Sequence, residues 1–109
     1  VNKILNLRLF PEGSSHFHRS ALEIGADILV VSQFTLYADC RKGRRPDFTA
    51  AAPPEAADLL YQFTVKVFRE SGLKIETGQF RKLMKVTIHN DGPVTLLLDS
   101  VDRLKPRRS

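Results

Sequence analysis

ILVVSQFTLYAD, residues 28 to 39, begins as an apolar run and changes abruptly to hydroxyl and amide side chains. The first four residues are β-branched or bulky, which predicts a central strand that is buried on both faces. Ser32, Gln33 and Thr35 follow in the continuation of this strand, where buried polar groups need hydrogen-bond partners. These groups therefore either serve packing alone or line a pocket that receives a polar ligand.

Two motifs further along the chain bear on this choice. On spacing alone, packing is favoured, because polar residues within strands are more often structural than functional. However, SQFTL at residues 32 to 36 is followed by YADCRKGRRPDFTAAAPPE and much later by NDGPVT at residues 90 to 95. In this order the motifs resemble the D-aminoacyl-tRNA deacylase family. The resemblance runs from about residue 3 to residue 100, and the family's N-terminal strand, hairpin and most of a helix lie ahead of it.

The first wall of a substrate pocket is implied by this resemblance. The family hydrolyses the ester between a D-amino acid, or a misplaced glycine, and the terminal ribose of tRNA. The residues implied around the adenosine and aminoacyl group are Ser32, Gln33, Phe34 and Thr35. Thr35 and Gln33 are the catalytic candidates, but a threonine nucleophile needs an activating base, and the sequence shows none beside Thr35. The ribose hydroxyl is expected to assist the attacking water, while backbone N–H groups stabilise the oxyanion. No cofactor or metal is implied.

The second pocket wall is the turn NDGPVT. Its candidate substrate-binding residues are Asn90, Gly92, Pro93 and Thr95. The resemblance implies that Gly92 and Pro93 belong to a cis Gly-Pro motif that excludes L-amino acids. In the family this motif reaches into the site of a second subunit. A homodimer is therefore implied as well.

The charge of the chain is concentrated in one loop. Seventeen Lys and Arg face twelve Asp and Glu, a net charge of +5 that weakly favours a polyanionic partner. Four of the cations surround Gly43 in the segment RKGRRP, namely Arg41, Lys42, Arg44 and Arg45. Such a run is either a solvated surface loop or an arm that contacts phosphates, which arginine binds through paired hydrogen bonds. Beside SQFTL, the tRNA backbone is the favoured partner.

Periodicity along the chain predicts an α+β fold with a single domain. The clearest element is a helix opened by the two prolines at 53 and 54, with one apolar face and a stop at Gly72. That face is predicted to contain Ala56, Leu59, Leu60, Phe63 and Val67. Strands are predicted around residues 5 to 9, 74 to 76, 83 to 89 and 94 to 98, and a loop over residues 11 to 20. The order of these elements predicts a mainly antiparallel sheet packed against one long helix. The resemblance implies that this sheet is barrel-like and that the domain, over residues 1 to 102, lacks the family's N-terminal strands. Residues 103 to 109 are predicted to form a basic, disordered tail.

A few features limit the alternatives. Cys40 is the single cysteine, which excludes an internal disulfide and fits a reducing compartment. No apolar run approaches the ~20 residues of a membrane helix, so the expectation is a cytoplasmic protein without a membrane partner. Arg81 and Lys82 replace the small residues usual in the family, and they would either crowd the pocket or contact tRNA. The competing interpretations are a non-catalytic nucleic-acid-binding module and an inactive fragment of the family.

Overall fold

The computed structural model describes residues 1 to 107 and contains short helices and strands around one long helix. The α-helices are α1 (Asn2–Asn6), α2 (Ala21–Ile24) and α3 (Pro54–Arg69). The strands are β1 (Arg8–Glu12), β2 (Ser15–Ser20), β3 (Ile28–Val30) and β4 (Ile75–Thr77). Two 3-10 helices cover Phe34–Tyr37 and Ser100–Leu104. The second of these occupies the start of the predicted disordered tail, whose last two residues lie outside the described part.

The first residues form a helix where alternation predicts a strand. The amide of Leu5 donates to the carbonyl of Val1, and the amide of Leu7 donates to the carbonyl of Lys3, both at 3.0 Å. Val1, Ile4 and Leu5 also have helical spacing, and burial of Leu5 in the core favours that arrangement. The prediction of a strand over residues 5 to 9 was therefore wrong for its first half, and extended backbone begins only at β1.

A β-hairpin replaces the loop predicted over residues 11 to 20. Strands β1 and β2 pair antiparallel, with Glu12 opposite Ser15, and Gly13 adopts a left-handed φ of 58° in the turn between them. The side chains of β2 are largely polar, which concealed the strand from a reading based on hydrophobic alternation. His18 Nε2 lies 2.9 Å from a carboxylate oxygen of Glu12 on the exposed face of this hairpin.

A capping box starts α2 directly after the hairpin. The hydroxyl of Ser20 accepts a hydrogen bond from the amide of Glu23 at 3.2 Å, and the Glu23 carboxylate accepts one from the amide of Ser20 at 3.1 Å. Gly25 closes the helix in the left-handed conformation, with φ of 67°. This short helix turns the chain from the hairpin toward β3.

The central sheet is a parallel pair, β3 with β4, in the register Ile28–Ile75 and Val30–Thr77. It lies against α3 in a small core that contains Leu5, Val65, Phe68 and Ile75. Strand β3 is not buried on both faces as predicted, because only one of its faces packs on the core: Ile28 and Val30 on that face are half-buried, and Leu29 on the other is 58% exposed. The strand predicted over residues 74 to 76 is confirmed as β4.

Helix α3 begins beside the two prolines, as predicted, but it packs with a different face. Val65 and Phe68 are buried and Tyr61 is half-buried, so the inward stripe follows the spacing i, i+4, i+7. In the stripe that was predicted to face the core, Leu59, Leu60 and Phe63 are all more than half exposed. The helix carries two apolar stripes, and periodicity alone did not indicate which one meets β3 and β4.

The sheet does not close into a barrel within residues 1 to 107. It consists of two separate two-stranded sheets, one antiparallel and one parallel. Segments 83–89 and 94–98 were predicted as strands, but neither forms a strand. A strand needs a neighbour for its N–H and C=O groups, and no backbone hydrogen bond joins these segments to another described segment. Their larger apolar side chains are exposed, including Leu83, Ile88 and Leu97. None of the helices over residues 1 to 107 has the length and hydrophobicity needed to span a membrane.

Candidate active site and nucleic-acid interface

The SQFTL segment leaves β3 and forms a short 3-10 helix that holds the two catalytic candidates against each other. Gln33 Nε2 donates a hydrogen bond to Thr35 Oγ1. Because the threonine oxygen accepts this bond, its own hydrogen is free to be donated elsewhere. Within residues 1 to 107, no carboxylate or imidazole hydrogen-bonds this hydroxyl, so the arrangement suits a hydrogen-bond donor better than a nucleophile.

The remaining residues of the first wall offer apolar and polar surface. Phe34 is 61% exposed, and its ring meets that of Phe48 edge to face with centroids 5.0 Å apart. An exposed aromatic ring of this kind can stack on a nucleobase. Ser32 is half-buried between Val31 and Gln33. The first wall therefore combines a stacking surface with hydroxyl and amide groups.

Helix α3 fixes the position at which this wall begins. The carbonyl oxygen of Val30, the last residue of β3, accepts hydrogen bonds from the Tyr61 hydroxyl at 2.7 Å and from the Gly78 amide at 3.1 Å. The ring of Tyr61 also lies 6.0 Å from that of Phe80. Since Ser32 follows only two residues later, these contacts determine where the SQFTL segment leaves the sheet.

A cleft of about 280 Å³ lies beside the end of β3. Its lining comes from two strands' ends and the extended segment that follows, namely Leu29, Val31, Gly78, Gln79, Met84, Lys85, Val86 and Thr87. A Cβ on Gly78 would lie 2.8 Å from Met84 Sδ and 3.3 Å from Val31 Cγ1, so glycine permits the close approach of these two side chains. Arg81 and Lys82 are exposed and do not line this cleft.

The turn over residues 90 to 95 is shaped by the side chain of Asn90. Its Oδ1 accepts from the amide of Val94 at 2.8 Å, and its Nδ2 donates to Thr95 Oγ1 at 2.7 Å. The peptide bond between Gly92 and Pro93 is cis, as the resemblance implied. Gly92 has φ of 139°, and a Cβ there would lie 3.0 Å from Val94 Cγ2. The Asn90 side chain thus connects the start of the turn to its end through two hydrogen bonds.

The basic loop is closed at its base by two aspartates. The backbones of Asp39 and Asp47 exchange hydrogen bonds of 2.7 and 2.9 Å. Between them the chain surrounds an open depression of about 820 Å³, whose lining includes Arg41, Lys42, Arg44 and Arg45. Asp39 and Asp47 also line the depression, and the excess of positive over negative side chains suits a phosphate group.

Arg41 differs from the other cations of this loop. Its Nε lies 2.9 and 3.1 Å from the two carboxylate oxygens of Asp39, and its Nη2 lies 2.7 Å from Oδ2. The hydrogen bonds from the Arg41 side chain and backbone amide lower the pKa of the Asp39 carboxyl, and Asp39 in turn raises the pKa of Arg41. Arg41 is therefore already paired.

The structure assembles the candidates into three local groups. It joins Gln33 to Thr35 and Asn90 to Thr95, and it gathers the cations around one depression. Among the described residues, no hydrogen bond links the first wall to the second. Cys40, the single cysteine, and His89, which precedes the turn of the second wall, are both exposed.

Two structural contributors were missed at the sequence level. Tyr61 was not singled out, although a tyrosine on the core-facing side of a helix needs a partner for its hydroxyl. Asp39 was read only as the end of the central stretch, although an aspartate two residues before Arg41 is a common start of a side-chain-capped turn. Both signals are local and were present in the sequence.

Comparison with known proteins agrees with the resemblance. Residues 1 to 99 match the family model described as D-Tyr-tRNA(Tyr) deacylase. A D-aminoacyl-tRNA deacylase of Dehalococcoides mccartyi is 53% identical over 108 residues, which cover 99% of this chain and 71% of the relative. The D-aminoacyl-tRNA deacylase of Thermosipho melanesiensis is 56% identical over 101 residues, or 92% of this chain and 67% of the relative.

A solved structure shows the same fold. It is titled c-Myc DNA Unwinding Element Binding Protein and superposes with a TM-score of 0.80 at 43% identity. The match covers 91% of this chain and 68% of that one. With the family model matching nearly the whole chain, the protein belongs to the D-Tyr-tRNA(Tyr) deacylase family.

Proposed function

We propose that the protein hydrolyses the ester bond of D-aminoacyl-tRNA and releases free tRNA and a D-amino acid. The observation that carries this proposal is the hydrogen-bonded pair of Gln33 and Thr35 in a chain 53% identical to a D-aminoacyl-tRNA deacylase. Glycine wrongly joined to tRNA is a second substrate in this proposal. The reaction would serve as proofreading of translation in the cytoplasm.

The reaction needs few catalytic groups from the protein, because the ester that joins the amino acid to tRNA is already an activated carbonyl. Water adds to the carbonyl carbon, the bond from that carbon to the ribose oxygen breaks, and the ribose oxygen takes the proton that the water loses. The Thr35 hydroxyl, whose oxygen accepts from Gln33, has its hydrogen available to the carbonyl oxygen as negative charge develops there. A neighbouring hydroxyl of the same ribose assists the water.

Selection against L-amino acids is assigned to the turn over residues 90 to 95. The two Asn90 hydrogen bonds hold this turn in one shape, which lets its backbone act as a fixed wall. An L-side chain would collide with that wall, whereas a D-side chain points away from it. Glycine has no side chain to reject, which explains its place among the substrates.

Binding of tRNA is assigned to the basic loop, through phosphate contacts from Lys42, Arg44 and Arg45 around the depression. We further infer a homodimer in which the second wall of one subunit faces the first wall of its partner. The exposed apolar side chains of segments 83–89 and 94–98 support this inference, since large exposed apolar surfaces mark interaction sites.

The experiment that tests the proposed function compares D-tyrosyl-tRNA with L-tyrosyl-tRNA. Purified protein is expected to release tyrosine from the D-ester well above the spontaneous rate and to leave the L-ester at that rate. Thr35→Val, which is expected to be much slower than the parent but still faster than the spontaneous reaction, serves as the matched control. Equal release from both esters would contradict the proposed selection against L-amino acids. No release from either ester by a folded sample would contradict the proposed deacylase activity.

A second candidate is a nucleic-acid-binding module without catalysis. It is favoured by one observation, the solved structure at 43% identity whose title names a DNA-element-binding protein. The basic loop would serve this function unchanged. Binding of tRNA with no hydrolysis of either ester is the result that would place it first.

A further inference from the structure

The basic loop contains one cation that is not free to bind phosphate. The Arg41 guanidinium is occupied by Asp39 through three contacts of 2.7 to 3.1 Å, and the Arg41 amide donates to Asp39 Oδ1 at 3.1 Å. In contrast, no side-chain hydrogen bond or ion pair within residues 1 to 107 involves Lys42, Arg44 or Arg45. The loop therefore separates into a paired base and a tip of three unpaired cations.

Asp39 is also the residue whose backbone closes the loop. Its amide donates to the carbonyl of Asp47 at 2.7 Å and its carbonyl accepts from the amide of Asp47 at 2.9 Å. On the other side, the Asp47 carboxylate accepts from the Thr49 hydroxyl at 2.6 Å and from its amide at 3.3 Å. Both ends of the loop are thus fixed by hydrogen bonds that do not depend on a ligand.

We propose that Asp39 is a positioning residue for tRNA binding: by holding Arg41 at the base of the loop, it presents Lys42, Arg44 and Arg45 together to the phosphates. This inference rests on the proposed function. The negative charge of an aspartate beside a polyanion site weakens binding of the polyanion, so a favourable effect on binding must offset it. Pre-organisation of the loop is such an effect, because a loop already held in its bound shape loses less conformational entropy when the ligand binds.

Two substitutions separate positioning from simple charge. Asp39→Asn removes a negative charge, so charge alone predicts tighter binding of tRNA, whereas positioning predicts weaker binding. Arg41→Lys keeps the positive charge but loses the paired geometry of the guanidinium, so charge alone predicts no change. We expect each variant to weaken binding of uncharged tRNA roughly two- to fivefold, the range that an exposed ion pair supports.

The control and the second readout use the same protein. Asp27→Asn makes the same charge change at an exposed residue outside the loop, and it is expected to bind as the parent does. Asp39→Ala, which also removes the acceptor for the Arg41 amide, should weaken binding more than Asp39→Asn. Hydrogen exchange at the Arg41 amide should be faster in Asp39→Ala than in the parent, while thermal unfolding shows that both remain folded.

The outcomes distinguish this inference from the function on which it rests. Weaker binding by Asp39→Asn and by Arg41→Lys supports the positioning role. If Arg44→Ala weakens binding but Asp39→Asn and Arg41→Lys bind as tightly as the parent or more tightly, positioning by Asp39 is excluded and the tRNA-binding loop stands. If Arg44→Ala also binds as the parent, the loop has no part in tRNA binding and both proposals for it are overturned.

Discussion

The hydroxyl of Tyr61 donates a 2.7 Å hydrogen bond to the carbonyl oxygen of Val30, 31 residues away in the chain. It ties the inward face of α3 to the last residue of β3, two residues before the SQFTL segment. The same carbonyl accepts from the amide of Gly78, so β3, α3 and the residue that follows β4 meet at this one atom. The long helix therefore has a direct part in placing the first wall.

Tyr61→Phe is expected to lower the free energy of unfolding by about 1 kcal/mol, the usual contribution of one hydrogen bond. Because the bond positions the catalytic segment, kcat for D-tyrosyl-tRNA should fall while KM changes little. Urea unfolding and steady-state kinetics measure the two effects. Tyr37→Phe removes a hydroxyl that has no hydrogen-bond partner among the described residues, and it should leave stability unchanged. Equal kcat in Tyr61→Phe and the parent would show that the bond is only structural.

Thr35→Val should reduce kcat for the D-ester by roughly 100-fold, the scale of losing one hydrogen-bond donor to an oxyanion. Thr35→Ser keeps the hydroxyl that pairs with Gln33 and should retain most of the activity. Single-turnover hydrolysis of D-tyrosyl-tRNA measures both. A rate for Thr35→Val no greater than that without protein, with tRNA binding intact, would instead support a threonine nucleophile.

Asn90→Ala removes both hydrogen bonds that shape the second wall and should reduce discrimination between D- and L-tyrosyl-tRNA. The expected change is a rise in hydrolysis of the L-ester, since a loosened backbone no longer excludes the L-side chain. Thr95→Val removes one of the two bonds and should have a smaller effect, while Thr95→Ser should match the parent. Ratios of kcat/KM for the two esters give the result, and an unchanged ratio in Asn90→Ala would place selectivity elsewhere.

Arg44→Ala and Arg45→Ala should each weaken tRNA binding and lower the slope of log K against log salt by about 0.9, as expected when one phosphate contact is lost. Preference for one tRNA over another should not change, because phosphate contacts carry no sequence information. Binding measured across a salt titration tests this. Parent-like slopes in both variants would identify the loop as solvated surface.

The capping box of α2 is expected to make the free energy of unfolding depend on pH in the acidic range. The backbone and side-chain hydrogen bonds of Ser20 lower the pKa of Glu23 below 4.5, so the carboxylate is more acidic in the folded state. Its stabilising contribution is therefore complete above about pH 4.5 and is lost as the pH falls through the folded-state pKa. Glu23→Gln should remove this part of the pH dependence of unfolding, whereas Glu76→Gln should retain it.

Ser20→Ala should lower the free energy of unfolding by about 1 kcal/mol at neutral pH, because it removes the N-cap of α2.

The long helix was predicted correctly because its signals are local. Helix α3 was found because Pro54 suits the start of a helix and its apolar residues repeat at helical spacing. The α+β class followed from the order of the predicted strands and helix along the chain. Which stripe of α3 faces inward, in contrast, depends on where β3 and β4 lie, and no local pattern contains that information.

The errors share a physical cause. Residues 83–89 and 94–98 have strand-like composition, but a strand is defined by hydrogen bonds to a neighbour, and none is made by these segments within residues 1 to 107. Val1, Ile4 and Leu5 have helical spacing that competes with the alternation of the leucines after them, and burial of Leu5 favoured the helix. The turn between Asp39 and Arg41 had a local signal, but closure of the basic loop by the backbone pairing of Asp39 with Asp47 becomes visible only in three dimensions.

The extended segment 94–98 has a consequence for handling the protein. It is a run of apolar residues interrupted only by Thr95, it makes no backbone–backbone hydrogen bond with another described segment, and such runs start cross-β aggregation. Two flanking residues act as gatekeepers: Pro93 has no N–H to extend a ladder, and the Asp99 charge repels a stacked copy of itself. Replacing Asp99 with a neutral residue would therefore shorten the shelf life of concentrated protein even if catalysis were untouched.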